Sequence, residues 1–416
     1  MEQAIRLKYL ITRHQEMYFL AFALFGYMLI YIDPYDSKIF PPYINVLVRG
    51  ILFILSLYFI IKNFLILKNR KNIALAFILF FLFHFFKLYI TLPSIALDSN
   101  AFSNLKNSVY YYGLIVIPVP VIAILTLNYQ TIDFNKFSQT IFWFLLILLG
   151  INFVHTNFIF EDYNSNGRGG IFRSYYIFVG HYGLSLVVLS LYMYLFLRRK
   201  GYQYILGILI GVFPIYVSAA RSPILALLII LSIFLILINK KKYWICFFCL
   251  LLLSLVVLYF IYKSKIGEDL IFFKRLNDAI FENNASGRSF YLNQGIEVFI
   301  KHPFLGGNAL FKDGMYPHNL FVEILMSTGL LGMALFIIYF KFVAESFFKI
   351  LKNIYKYKES GILIFFFLQY FILAQTSGSL YSSFEFWYFG AAVIGLGYIN
   401  FTNEETKSNN RRGNTA

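Results

Sequence analysis

Four arginines and one histidine are the side chains of this sequence best suited to chemistry. The arginines are Arg168, Arg173, Arg221 and Arg288, and the histidine is His318. An arginine fork donates two parallel hydrogen bonds and stays charged, which suits a phosphate group. A histidine, with an ordinary pKa of about 6.5, can act as a general base. These residue types indicate phosphate binding and proton removal.

Each of these residues also has a simpler interpretation. An arginine near a lipid surface can extend its charged end to the headgroups, and a lone histidine can cap a helix or pack. Arg221 favours the functional interpretation because a charge within a membrane is costly. His318 is strengthened by its neighbours, because Asn319 is adjacent and Glu323 follows about one turn along the same helix.

The elements that must position these residues are membrane helices. Of the 416 residues, 59% are hydrophobic and only 13% are charged, whereas soluble domains are about 25% charged. We therefore expect an all-α, polytopic integral membrane protein with about twelve transmembrane helices. The predicted spans lie near 17–32, 45–67, 73–92, 110–128, 138–156, 176–197, 202–219, 222–239, 244–263, 319–340, 361–377 and 386–400.

The distribution of basic residues predicts the orientation. With the N-terminus inside, the inner segments hold 21 lysines and arginines, whereas the short outer loops hold five. This asymmetry predicts that both termini are cytoplasmic. Residues 1–263 then form nine spans, 264–318 one large outer loop, 319–400 three spans, and 401–416 a disordered cytoplasmic tail.

The second half of the outer loop (residues 264–318) predicts a short amphipathic helix. Ser286 is a candidate N-cap, and apolar residues then recur at helical spacing until the break before Pro303. Arg288 falls in the first turn of this helix. The helix is expected to lie on, or dip into, the outer membrane surface.

Several kinds of chemistry lack a motif. No Walker loop, GxGxxG or HExxH is present. Cys246 and Cys249 lie inside an apolar span and are interpreted as small hydrophobic residues, and Asp33-Pro34-Tyr35-Asp36 is interpreted as a turn. No metal or cofactor is predicted.

The net charge of +16 arises mainly from basic residues in the inner loops, so nucleic acid is not an expected partner. Outside the cytoplasm a transferase needs a donor activated in advance, such as a lipid-linked pyrophosphate.

The order of motifs resembles the O-antigen ligase/polymerase superfamily of bacterial surface-polysaccharide enzymes. The resemblance rests on Arg288, HPFLGG (302–307), Pro317-His318-Asn319, Glu323 and GLLG (329–332). Upstream, GRGGIFRSYYIFVGHYG (167–183) and SAARSPILAL (218–227) are similar to the family's entries into spans. Together these motifs cover about a quarter of the chain.

The resemblance implies a metal-independent, inverting glycosyltransferase of the bacterial inner membrane, with its active site on the periplasmic face. Its donor would be an undecaprenyl-pyrophosphate-linked oligosaccharide. Arg221 and Arg288 would hold the pyrophosphate, and His318 would take the proton from the acceptor hydroxyl. The expected substrate-binding residues are Arg168, Arg173, Asn319 and Glu323.

Three functions remain open at this point. A polymerase adds glycan to another lipid-linked repeat unit, and a ligase transfers it to lipid A–core. The compact outer loop favours the polymerase, with a chain-length regulator and a flippase as expected partners. The alternative of another class is a flippase, for which more charge at mid-membrane depth would be expected.

Overall fold

The computed structural model describes residues 2–32, 44–154, 176–218, 220–263 and 288–413, and the regular elements in these ranges are helical. Helices are expected because a backbone in lipid must satisfy its own hydrogen bonds. The predicted all-α, polytopic fold class is confirmed. The α-helices are α1 (Glu2–Phe25), α2 (Ile44–Lys62), α3 (Phe64–Asn69), α4 (Lys71–Thr91), α5 (Ser99–Tyr110), α6 (Pro118–Thr126), α7 (Phe134–Val154), α8 (Tyr176–Leu195), α9 (Tyr202–Val217), α10 (Arg221–Ile238), α11 (Lys241–Lys263), α12 (Arg288–Lys301), α13 (Leu320–Lys352), α14 (Ile362–Thr376) and α15 (Phe384–Gly413).

Six helical segments in the described ranges are long and apolar enough to cross a membrane. The helices α9 and α14 are apolar but shorter. The total of about twelve spans remains a prediction. The six segments are Lys71–Ser94, Ala101–Thr126, Phe134–Val154, Ile177–Leu195, Arg221–Ile238 and Leu320–Lys352.

Some helix ends differ from the predicted spans. The span predicted at 45–67 is broken at Asn63 into α2 and α3. Helix α13 extends to Lys352, beyond the predicted end at 340. Helix α15 extends to Gly413, although a disordered tail was predicted from residue 401. Glu and Lys are good helix formers, so a helix can continue past its apolar part.

The chain forms two compact units. The first unit comprises residues 1–30, 37–141 and 290–416, and the second comprises 31–36 and 142–289. Within the second unit, α8 and α9 approach closely at two glycines. A Cβ on Gly183 would lie 2.6 Å from the carbonyl oxygen of Gly211, and a Cβ on Gly211 would lie 2.7 Å from that of Gly183. Only a residue without a side chain permits this backbone contact.

The core of the first unit is an aromatic cluster around Trp387 of α15. The Trp387 ring lies 5.5 Å from Phe77 and 5.8 Å from Phe80 on α4, and 6.2 Å from Phe336 and 5.8 Å from Tyr339 on α13. These separations are typical of favourable aromatic pairs. The cluster joins α4, α13 and α15, so it fixes α13 against the other two helices.

Candidate active site

Helix α12 packs on the segment that carries His318. Its glycine, Gly295, faces Pro317 and Val322, and a Cβ at Gly295 would lie 2.8 Å from Cγ of Pro317 and 3.0 Å from Cγ1 of Val322. Since no side chain separates them, α12 and the start of α13 approach closely. The predicted loop helix is present over Arg288–Lys301, while Ser286 lies outside the described residues.

His318 has a left-handed backbone conformation, with φ of +57°. A positive φ is uncommon for a residue other than glycine and is found at functional sites. The half-buried imidazole is flanked by two tyrosines. Its ring centroid lies 4.4 Å from that of Tyr316 and 6.3 Å from that of Tyr291. The protein therefore holds the predicted base in a defined aromatic setting.

One of these tyrosines is positioned by Asp313. The hydroxyl of Tyr291 donates to Oδ2 of Asp313 at 2.7 Å, and the Met315 amide donates to Oδ1 at 3.0 Å. The hydrogen bond to Asp313 raises the pKa of Tyr291. Tyr291 also stacks on Phe311 at 5.5 Å. The Asp313 carboxylate thus couples α12 to the turn that precedes His318.

Sequence reasoning missed Tyr291, Asp313 and Tyr316. Asp313 precedes Gly314, a pair that signals a turn, and Gly314 has φ of +76°. Nothing in the spacing of the two tyrosines marks them as neighbours of His318, because their proximity depends on how the outer loop folds.

Asn319 and Glu323, which follow His318, have structural contacts. The Asn319 side chain caps α13, because its Oδ1 accepts from the amides of Phe321 and Val322, both at 3.1 Å. Glu323 is fully buried, and its Oε2 accepts from the Leu380 amide at 2.9 Å. These contacts position the start of α13. The predicted role of both residues in substrate binding stays a prediction.

The HPFLGG motif inserts into a break in α13. At Gly329 the helix has a non-helical conformation, with φ of +63° and ψ of −158°. The Gly307 amide donates to the Met326 carbonyl at 2.8 Å, and the Leu330 amide donates to the Pro303 carbonyl at 2.8 Å. The motif therefore satisfies backbone groups that the broken helix leaves free.

Two polar residues of α4 meet the same region. Lys87 donates from Nζ to the Gly306 carbonyl at 3.1 Å, and Nδ1 of the buried His84 lies 3.2 Å from Oγ of Ser327. The contact of His84 with Ser327 joins α4 to α13. Together these contacts tie the motif to the membrane helices.

Arg221 and Arg288 are each the first residue of a helix, α10 and α12, and both are half-buried. An anion is favoured at a helix start, and a guanidinium also attracts one. Both arginines belong to the second compact unit, whereas His318, Asn319 and Glu323 belong to the first. Arg168 and Arg173 lie outside the described residues.

No candidate metal centre occurs in the described ranges. Among those residues, no group of three or more His, Cys, Asp and Glu side chains could hold a metal ion. Cys249 is exposed on α11, which fits its interpretation as a small hydrophobic residue. Around His318 the described structure places Tyr291, Tyr316 and the Asp313 carboxylate that binds Tyr291.

The fold and this site define a polytopic membrane protein with a histidine held directly before a long helix, α13. Residues 206–337 match the family model described as O-antigen ligase. The match includes Arg221, Arg288 and His318, and it confirms the resemblance to the O-antigen ligase/polymerase superfamily. No curated protein matches the chain by sequence.

Proposed function

We propose that this protein is an O-antigen polymerase. It would transfer a glycan from undecaprenyl pyrophosphate to a sugar hydroxyl of another lipid-linked repeat unit on the periplasmic face of the inner membrane. The observation that carries the proposal is the constrained His318, with its left-handed backbone between Tyr291 and Tyr316, inside the segment that matches the family.

In the proposed reaction, His318 removes the proton from the acceptor hydroxyl as the oxygen attacks the anomeric carbon. The bond between that carbon and the pyrophosphate oxygen breaks, and its electron pair leaves with the pyrophosphate. Arg221 and Arg288 neutralise the developing charge. Attack opposite the leaving group inverts the anomeric centre. Arg168 and Arg173 would guide phosphate or glycan.

The choice between polymerase and ligase concerns the acceptor alone. The compact outer loop favours the polymerase, since a large lipid A–core acceptor would be expected to need a more elaborate surface. The matching family, described as O-antigen ligase, supports the ligase as the second candidate. A chain-length regulator and a flippase are the partners expected for the polymerase.

Deletion of the gene, followed by electrophoresis of the lipopolysaccharide, tests the proposal. A polymerase mutant should retain a single repeat unit on the core and lose the ladder of longer chains. Bare core with accumulated undecaprenyl-linked polymer would establish the ligase instead. Absence of all periplasmic glycan would establish a flippase and contradict both transferase assignments.

A further inference from the structure

Arg49 of α2 lies in a cage of tyrosines. Its guanidinium carbon is 6.0 Å from the ring centre of Tyr27, 5.2 Å from that of Tyr111 and 5.3 Å from that of Tyr112. Its Nη2 also donates to the Tyr112 hydroxyl at 3.3 Å. Aromatic faces attract a cation, so the tyrosines hold the guanidinium without neutralising its charge.

The charge of Arg49 has no acidic partner in the described part of the chain. No carboxylate there lies within 4.0 Å of its side-chain nitrogens. Its Nε is buried and has no hydrogen-bond acceptor. Glu385 of α15 is buried and forms no ion pair with Arg49. Within the described residues, the guanidinium of Arg49 therefore contacts aromatic rings and one hydroxyl but no carboxylate. A charge in an apolar helix is costly, so a bound anion would stabilise it.

The donors that Arg49 retains suit a phosphate. A guanidinium has five N–H donors, and Tyr112 accepts from one nitrogen only. The side chain is half-buried, so part of the fork can be reached. A planar fork binds two phosphate oxygens at once, and the surrounding rings would hold it in orientation.

Arg49 and His318 are linked through one hydrophobic cluster. Tyr112, which contacts Arg49, and Tyr316, which contacts His318, both pack on it. The sites therefore lie at the same end of the first compact unit. The buried members of the cluster are Leu88, Leu92, Ile95, Val109, Ala309, Leu310 and Tyr381.

We propose that Arg49, with Tyr27, Tyr111 and Tyr112, binds the phosphate of a lipid. This proposal rests on the proposed function, in which the lipid is the acceptor substrate. The acceptor keeps its polyprenyl diphosphate while its sugar hydroxyl reaches His318. Arg221 and Arg288 would then hold the donor diphosphate, and the chain would bind two lipid diphosphates. A phospholipid headgroup offers the same phosphate chemistry and is the second possible source.

Native mass spectrometry of the full-length protein in detergent tests this site. Undecaprenyl diphosphate and, in parallel, phosphatidylglycerol are titrated into wild type, Arg49→Gln, Arg288→Ala and Lys341→Gln. Lys341 is an exposed residue in an i,i+4 ion pair, so its variant is a matched loss of one positive charge. Wild type should bind two diphosphates, and Arg49→Gln should bind the second at least about ten-fold more weakly. Lys341→Gln should behave as wild type.

The remaining outcomes separate the possibilities. One diphosphate on wild type and none on Arg49→Gln supports this site and removes the donor role of Arg221 and Arg288. An equal loss of phosphatidylglycerol binding supports the phosphate site with a phospholipid as its source. Unchanged binding of both lipids by Arg49→Gln overturns the proposal. If Arg49→Gln fails to fold, the Arg49→Lys variant is titrated in its place. An unchanged affinity of Arg49→Lys for the second diphosphate would exclude a bidentate site.

Discussion

Gly306 and Gly329 meet backbone to backbone. A Cβ on Gly329 would lie 2.5 Å from the amide nitrogen of Gly306, and a Cβ on Gly306 would lie 2.4 Å from the amide nitrogen of Thr328. Both glycines have a positive φ, +70° at Gly306 and +63° at Gly329. No other residue type fits this crossing without strain and a clash.

Alanine at either glycine should therefore destabilise the protein. We expect Gly306→Ala or Gly329→Ala to cost about 1–3 kcal/mol or more, because the added carbon meets backbone that cannot move aside. Thermal denaturation in detergent, monitored by size-exclusion chromatography, measures the loss of stability. Gly50→Ala is the control, since nothing lies within 4 Å of its Cβ position on α2. Equal melting temperatures for all variants would contradict this packing.

Replacement of His318 by asparagine should remove activity while keeping the backbone. Asparagine tolerates the left-handed conformation better than alanine, and it cannot act as a base. Loss of a general base lowers a rate by about 100-fold or more, so the long-chain ladder should disappear. The exposed His302 supplies the matched control, His302→Asn. A normal ladder from His318→Asn would end the assignment of His318 as the base.

The Arg288→Lys variant should be defective even though it keeps the positive charge. A lysine ammonium cannot donate two parallel hydrogen bonds to one phosphate. We expect Arg288→Lys, like Arg221→Ala and Arg288→Ala, to shorten or abolish the polysaccharide while the protein remains in the membrane. Lys301→Ala, at the exposed end of the same helix, controls for loss of charge. Full activity of Arg288→Lys would reduce its role to a positive charge.

Glutamine at Glu323 separates a structural role from a substrate-binding role. The amide oxygen of glutamine can still accept from the Leu380 amide, so Glu323→Gln should fold and retain most activity. Glu323→Ala leaves that buried amide unsatisfied and should cost about 1–3 kcal/mol. Melting temperature and chain-length ladders report the two effects. A well-folded but inactive Glu323→Gln variant would support the predicted role of Glu323 in substrate binding.

The hydrogen bond from Tyr291 to Asp313 should make a pH-dependent contribution to stability. Only the neutral hydroxyl donates, and the bond raises the pKa of Tyr291 in the folded protein. Its contribution is therefore full below the unfolded-state pKa of about 10 and lost as the pH rises through the raised value. Melting curves of wild type and Tyr291→Phe should converge at high pH. The exposed Tyr202 provides the control, Tyr202→Phe, and a constant difference at every pH would contradict the assignment.

The all-α, polytopic class was predictable from the sequence because apolar helices are local patterns. Apolar runs predicted the membrane helices, and the helical spacing of apolar residues after Arg288 predicted α12. The contacts that build the site were not predictable, since they join distant segments. Nothing local indicates that Glu323 meets Leu380, or that Gly306 enters a break in α13 at Gly329. Likewise, nothing local indicates that Gly295 meets Pro317, the residue before His318.

Between α5 and α6 the chain makes a π-helical turn, Tyr111–Val116, and this turn carries two tyrosines of the Arg49 cage. A π-helical turn contains one residue more than the same stretch of α-helix. Deleting a single residue within Gly113–Ile115 would let the segment return to a regular α-helix, and the widened turn that carries Tyr111 and Tyr112 would be lost. The cage thus depends on the number of residues in this turn as well as on their types. A one-residue deletion would disrupt it even though every tyrosine remains in the sequence.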